Sequence, residues 1–242
     1  MMKTYMHESA HSEKGFTLVE LAVVMIIIGL LIGGILKGQE MISNAQVTAT
    51  VAQMKGIEAA ASTFRDQYDA FPGDMANAST RLVNCAANPC NNGNGDARIN
   101  VNVGAAPTLA DEGAFFWNHM RVTDLITGFD GSATLSFGAA IPVAEIGGGY
   151  LVGHTSTGVT DFTATEMRPG HYIVLTGQLA DAANGTGILT ASQAARIDRK
   201  MDDGRSNSGS VLSETTAACR NGNDYAESDQ DQLCNIAVRI QG

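Results

Sequence analysis

Positive charge is scarce in this chain: 242 residues carry 15 Lys and Arg against 25 Asp and Glu, a formal net charge of −10. A surface of that sign is not built to coat a polyanion, so direct nucleic-acid binding is not expected. Catalytic signatures are missing as well, with no phosphate loop, no Gly-x-Ser-x-Gly elbow and no His-Glu-x-x-His pair. His7 and His11 lie near the N-terminus, and His119, His154 and His171 are scattered. Each of the last three reads as a packing or surface histidine rather than a base, and the chain is not read as an enzyme. Proline is absent from Gln39 to Tyr68, which leaves a helix there unbroken.

What is present begins with a long apolar run. From Phe16 to Leu36 there are 21 residues and one charge, Glu20, a length that suits one helical crossing of a bilayer. A carboxylate in such a segment costs roughly 2.5–3.5 kcal/mol on insertion scales, so it calls for a function and a partner. An amine on Phe16, made by cutting after Gly15, is a suitable counter-charge. A conventional secretory signal is cut after its apolar core at a small-x-small site. Here the run is longer than a usual signal core, and the sites beyond it, around Ala45 and Ala49, are weak.

The order Lys14-Gly15-Phe16-Thr17-Leu18-Val19-Glu20-Leu21 followed by an apolar tail closely resembles type IV pilins and the related pseudopilins of type II secretion. The resemblance covers about residues 14–45. It implies that residues 1–15 are a leader removed by a membrane prepilin peptidase, and that Phe16 becomes an N-methylated N-terminus. It also implies that Glu20 pairs with the terminal ammonium of a neighbouring subunit during assembly. The implied organisation is a transmembrane and filament-core helix at 16–36, an amphipathic extension at 37–70 and a globular pilin-like domain at 71–242. The implied partners are the peptidase, the inner membrane and other pilin subunits. The implied location is the inner membrane first, then a filament in the periplasm or outside the cell.

The helix is expected to continue past the membrane. Val47, Val51, Met54, Ile57, Ala61, Phe64 and Tyr68 recur at spacings of three or four, while Gln46, Gln53, Lys55 and Arg65 take the other face. One helix from about Phe16 to Tyr68, roughly 80 Å long, follows. Glycines 29, 33, 34 and 38 weaken its middle and permit close helix–helix approach. Phe71-Pro72-Gly73-Asp74 ends it in a turn, and 77–107 reads as loop. A second helix is expected over 109–126, opened at Thr108 and ending at Gly128, with Phe116, Trp117, Met120 and Leu125 in the core. Strand-like runs occur at 133–137, 149–152 and 171–176, and Ile236, Val238 and Ile240 alternate with polar or small residues. Thr190-x-x-Gln193 is a capping-box pattern opening a short helix that stops near Gly204. The fold class read from this is α+β, a long N-terminal helix packed on an antiparallel sheet.

Cys85, Cys90, Cys219 and Cys234 form two close pairs with three possible connectivities, of which local pairing is the simplest for an exported domain. Zinc is disfavoured: the Cys-x4-Cys spacing is loose, no histidine is near either pair along the sequence, and the expected compartment is oxidising. The C-terminal pair also resembles the disulfide-closed region of many pilins. Asn92, Asn94 and Asp96, with the Arg98 carbonyl, resemble the first half of a calcium loop, but Ala97 replaces the turn glycine and Val103 replaces the bidentate glutamate. Calcium is thus the one cofactor considered, and a plain Asn/Gly turn cluster is the preferred reading. Asp198, Asp202 and Asp203 read as a solvated mixed-charge face, with subunit contact or a second cation site as alternatives. The first functional reading is a structural subunit of a type IV pilus or pilus-like filament. A secretion pseudopilin is its near alternative, and a tip-displayed adhesin or substrate-binding module, favoured by the long loop 75–107, is the alternative from another class.

Overall fold

The computed structural model describes residues 15–179 and 186–240; the expected leader, apart from Gly15, lies outside the described residues. Helix α1 runs over Leu18–Tyr68, and the chain divides into two compact units between Ser43 and Asn44, within this helix. In the first unit the apolar residues point in every direction around the helix. Every large one from Phe16 to Ile42 is exposed, by 45% to 84%. Gly29, Gly33, Gly34 and Gly38 face open space.

In the second unit α1 buries one stripe: Val47, Thr50, Val51, Met54, Ile57, Ala60, Ala61 and Phe64. The apolar members of this stripe share a single hydrophobic cluster with Trp117, Tyr150, Leu151, Ile173 and Ile236. Each large side chain buried there stabilises the fold by roughly 1.5–3 kcal/mol. The polar face takes part too. Gln53 donates through Nε2 to the Val143 carbonyl at 2.8 Å and accepts through Oε1 from the Glu145 amide at 3.0 Å and the Tyr150 hydroxyl at 2.8 Å.

A left-handed residue, Asp69 (φ 52°), follows the helix, and the loop beyond holds one short helical turn, α2 (Ala78–Arg81). Helix α3 spans Glu112–Val122, shorter than the 109–126 read from the sequence. Asp111 is the reason for the later start: its carboxylate accepts from the Ala114 amide at the helix entrance and from the Thr108 amide before it. At the other end Asp124 turns left-handed (φ 58°), and the Leu125 amide donates back to the Met120 carbonyl.

No strand forms at 133–137. Gly131 and Gly138 both take positive φ, and the segment between them closes on itself through Ser136 N–H to Thr134 O and Asp130 N–H to Gly138 O. The sheet comprises β1 (Gly149–His154), β2 (His171–Thr176), β3 (Val211–Ser213) and β6 (Ile236–Ile240), in the antiparallel order β1-β2-β6-β3. Tyr150 lies opposite Leu175, and Ile173 opposite Val238. A hairpin of β4 (Arg220–Asn221) and β5 (Asp224–Tyr225) stands apart from it. Helix α4 (Ala191–Met201) opens on the reciprocal cap of Thr190 and Gln193. Disulfides join Cys85 to Cys90 and Cys219 to Cys234. The architecture is α+β, with the second half of the long helix and an antiparallel sheet in one core.

Candidate functional site

Gly15, Phe16 and Thr17 precede α1 in non-helical conformation. Glu20 then sits three residues after Thr17 and reaches back to it. Its Oε2 accepts from the Thr17 amide at 2.9 Å and the Thr17 hydroxyl at 2.9 Å, while the Glu20 amide donates to Thr17 Oγ1 at 3.2 Å. This is a capping box, in which two amides left over at a helix start are satisfied reciprocally. Glu20 thus has a role within the chain beside the one between subunits that the resemblance implies. The Thr-x-x-Glu spacing ahead of an apolar run is the signal for it in the sequence. Helix α1 is long and apolar enough to cross a membrane, and its most apolar stretch has no burial within the chain.

The loop resembling a calcium site is built the other way round. Its backbone N–H groups point inward at two buried carboxylates from outside the motif, Asp74 and Glu112, which are 3% and 6% exposed. Asp74 Oδ1 accepts from the amides of Gly95 and Asp96, and its Oδ2 from that of Ala97. Glu112 accepts from the amides of Asn94 and Asn100. The oxygens read as ligands are also engaged: Asn92 Oδ1 by Ser79 N–H, Asn94 Oδ1 by Asp96 N–H and Asp96 Oδ1 by Arg98 N–H. Left-handed Ala97 (φ 64°) fits where a calcium loop would want glycine. Burial pushes both the Asp74 and the Glu112 carboxyl up from the usual carboxylate range, opposed by these amides.

Two clusters differ from expectation. The fold brings His119 to the Cys85–Cys90 pair, with the three potential ligand atoms all within 4.8 Å of one another; sequence distance had hidden this. His119 is fully buried. Its Nδ1 accepts from the Gly73 amide at 2.9 Å, which leaves Nε2 carrying the proton toward the Asn91 carbonyl at 2.8 Å. Burial pushes its pKa down to about 4. Asp198 is likewise buried rather than on a solvated face. It accepts from the Tyr225 hydroxyl at 2.9 Å and the Gly204 amide at 3.1 Å, and burial pushes it up to about 7. Asp202 and Asp203 are exposed and bind their own loop, through the Ser210 amide and the Ser208 hydroxyl respectively. His171 stacks on Phe71 with ring centroids 3.9 Å apart, and burial lowers its pKa to about 3, helped by neighbouring His154. Beside Phe71 a 390 Å³ cleft is lined by Tyr68, Asp74, Asn77, Arg81 and Ala97, among others.

Residues 10–36 match the family model described as the prokaryotic N-terminal methylation motif. In its N-terminal segment the chain is thus type IV pilin-like. Among solved structures it is similar to the major type IV pilin PilA1 from Clostridium difficile, with 10% identity over 83% of this chain and 98% of that one and a TM-score of 0.38. No curated protein matches.

Proposed function

We propose that this chain is a membrane-anchored precursor of a filament subunit, processed after Gly15, methylated on Phe16 and polymerised through its apolar helix. One observation carries the reading: a methylation motif joined to a helix whose apolar residues, from Phe16 to Ile42, find no cover within the chain. Lipid covers that surface first and neighbouring helices cover it afterwards. Glu20 supplies register. Both Thr17 contacts fall on Oε2, and Oε1 is the oxygen through which a neighbour's terminal ammonium is met. The first turn stays capped while the pair forms, so assembly does not unwind the helix.

Mass spectrometry of the mature N-terminus, from membranes and from sheared surface material, tests this. Methylated Phe16 in abundant sheared material is the expected result. The same terminus confined to membranes points instead to a secretion pseudopilin or a scarce initiating subunit. An uncut N-terminus in active cells overturns processing and polymerisation together. A second reading, a binding module displayed on such a filament, is favoured by the cleft at the Tyr68–Ala97 end of the loop; surface-ligand binding lost on filling that cleft is its test.

A further inference from the structure

The cleft beside Phe71 holds two opposite charges that do not meet. Asp69 and Arg81 both line its 390 Å³, a volume within the range of small-molecule sites, and neither forms an ion pair among the described residues. Arg81 is held by neutral groups: its Nη1 donates to the Tyr68 carbonyl at 2.9 Å, and its guanidinium lies over the Tyr68 ring, 5.4 Å from the centroid. Asp69 breaks a local rule. It is the left-handed residue after α1 (φ 52°), with its amide donating to the Arg65 carbonyl at 2.8 Å. Glycine or asparagine is usual there, and the negative end of a helix repels a carboxylate. The Asp69 side chain is exposed, and no ion pair among the described residues offsets that repulsion. Asp74 lines the cleft too, but its carboxylate is spent on the amides of Gly95, Asp96 and Ala97. Asn77, also exposed, opens α2 without capping it, because Asn92 Oδ1 takes the Ser79 amide instead. Its carboxamide is left to the cleft.

We propose that this cleft binds a free α-amino acid, with the ligand carboxylate on Arg81 and Asn77 and the ligand ammonium on Asp69. The inference rests on the second reading above, a binding module, and names its ligand class. An amino-acid zwitterion carries the two charges that the cleft leaves unmatched, and it bridges groups that stand too far apart to pair directly. A guanidinium edge takes a carboxylate through two parallel N–H···O bonds. Arg81 is clamped before the ligand arrives, so little side-chain freedom is lost on binding. The carbonyl end of α1 adds to the attraction of Asp69 for a cation. Ala70, Phe71 and Met75 supply the apolar part of the lining, which suits an uncharged aliphatic side chain. A simple amine or a simple acid leaves one of the two charges unmatched and binds more weakly.

The test is calorimetric titration of the full chain in detergent with L-alanine, L-valine and L-leucine. Their N-acetyl and carboxamide derivatives, which lack the ammonium and the carboxylate respectively, follow. Binding of at least one amino acid is expected, and each of its blocked derivatives binds at least roughly tenfold more weakly, the loss expected on removing a charged hydrogen-bond partner. That comparison does not depend on any variant folding. Arg81→Gln and the cleft-filling Ala76→Trp abolish binding. Asp69→Asn weakens it by at least roughly tenfold and raises the melting temperature, because asparagine suits the left-handed position and removes the charge opposed to the helix end. A merely structural aspartate would lose stability on the same change. No binding of the three amino acids, equal binding of the blocked derivatives, or binding unchanged in Asp69→Asn or Ala76→Trp overturns the proposal. Should surface-ligand binding be lost in Ala76→Trp while no amino acid binds, the amino-acid class falls alone; should neither bind, the binding-module reading falls with it.

Discussion

The two parts of helix α1 solve the same problem with different solvents. Before Ser43 the apolar residues encircle the helix; after Asn44 they form one stripe, and Val47, Met54 and Phe64 are at most 1% exposed. A helix apolar on all sides needs apolar surroundings on all sides, whereas a striped one needs a core on a single side. The carboxylates follow the same division. Glu20 is exposed and held by one threonine, while Asp74 and Glu112 are enclosed by five backbone amides of a loop. The first is open to the surroundings of the chain; the other two are already satisfied inside it.

Removing the carboxylate of Glu20 is the strongest way to break that contrast. Glu20→Ala is expected to reduce filament yield roughly 100-fold or more, the scale of breaking a buried ion pair, while membrane fractionation stays unchanged. Normal assembly would end the register role. In the globular unit, the Cys219–Cys234 loop closes 15 residues and the Cys85–Cys90 loop 5. Chain entropy then makes Cys219→Ser/Cys234→Ser cost about 3 kcal/mol and the shorter loop about 2 kcal/mol, read from denaturant midpoints of the oxidised chain.

A smaller effect concerns acid. The folded pKa of His119 lies near 4, below its ordinary 6.5. Its contribution is therefore complete above pH 6.5 and is lost as pH falls toward 4, because the unfolded chain takes the proton first. Asp198 acts oppositely. With a folded value near 7 against 3.8, it adds stability as pH falls from about 7 toward 4. His119→Gln should flatten the acid loss and Asp198→Asn should steepen it; melting curves from pH 8 to 4 check both signs. The smallest expected effect is none: calcium against EDTA leaves the melting temperature unchanged, because amides already engage Asn92, Asn94 and Asp96. A calcium-dependent rise would restore the cation reading.

Patterns set by neighbours in sequence were legible. The stripe from Val47 to Phe64, the cap at Thr190 and the alternation in β6 all follow from local period and spacing. Contacts between distant segments were not. Asp74 and Glu112 organise the Asn/Gly loop from 18 to 23 residues away for four of their five bonds, and no spacing rule points to them. His119 reaches Cys90 through the fold alone, and Ala133–Phe137 shows strand-like composition without a partner strand. The three-residue β3 is too short to carry a period of its own.

Gln53 gives the globular unit a mechanical property. Its amide holds Val143, Glu145 and Tyr150 to the flank of α1, well before the chain turns at Asp69. Tension applied along the helix therefore has a shortcut into the sheet at Tyr150 and need not travel through the turn and the long loop. Under such tension the hydrogen bonds of Gln53 are loaded side by side, while the loops beyond the turn stay slack.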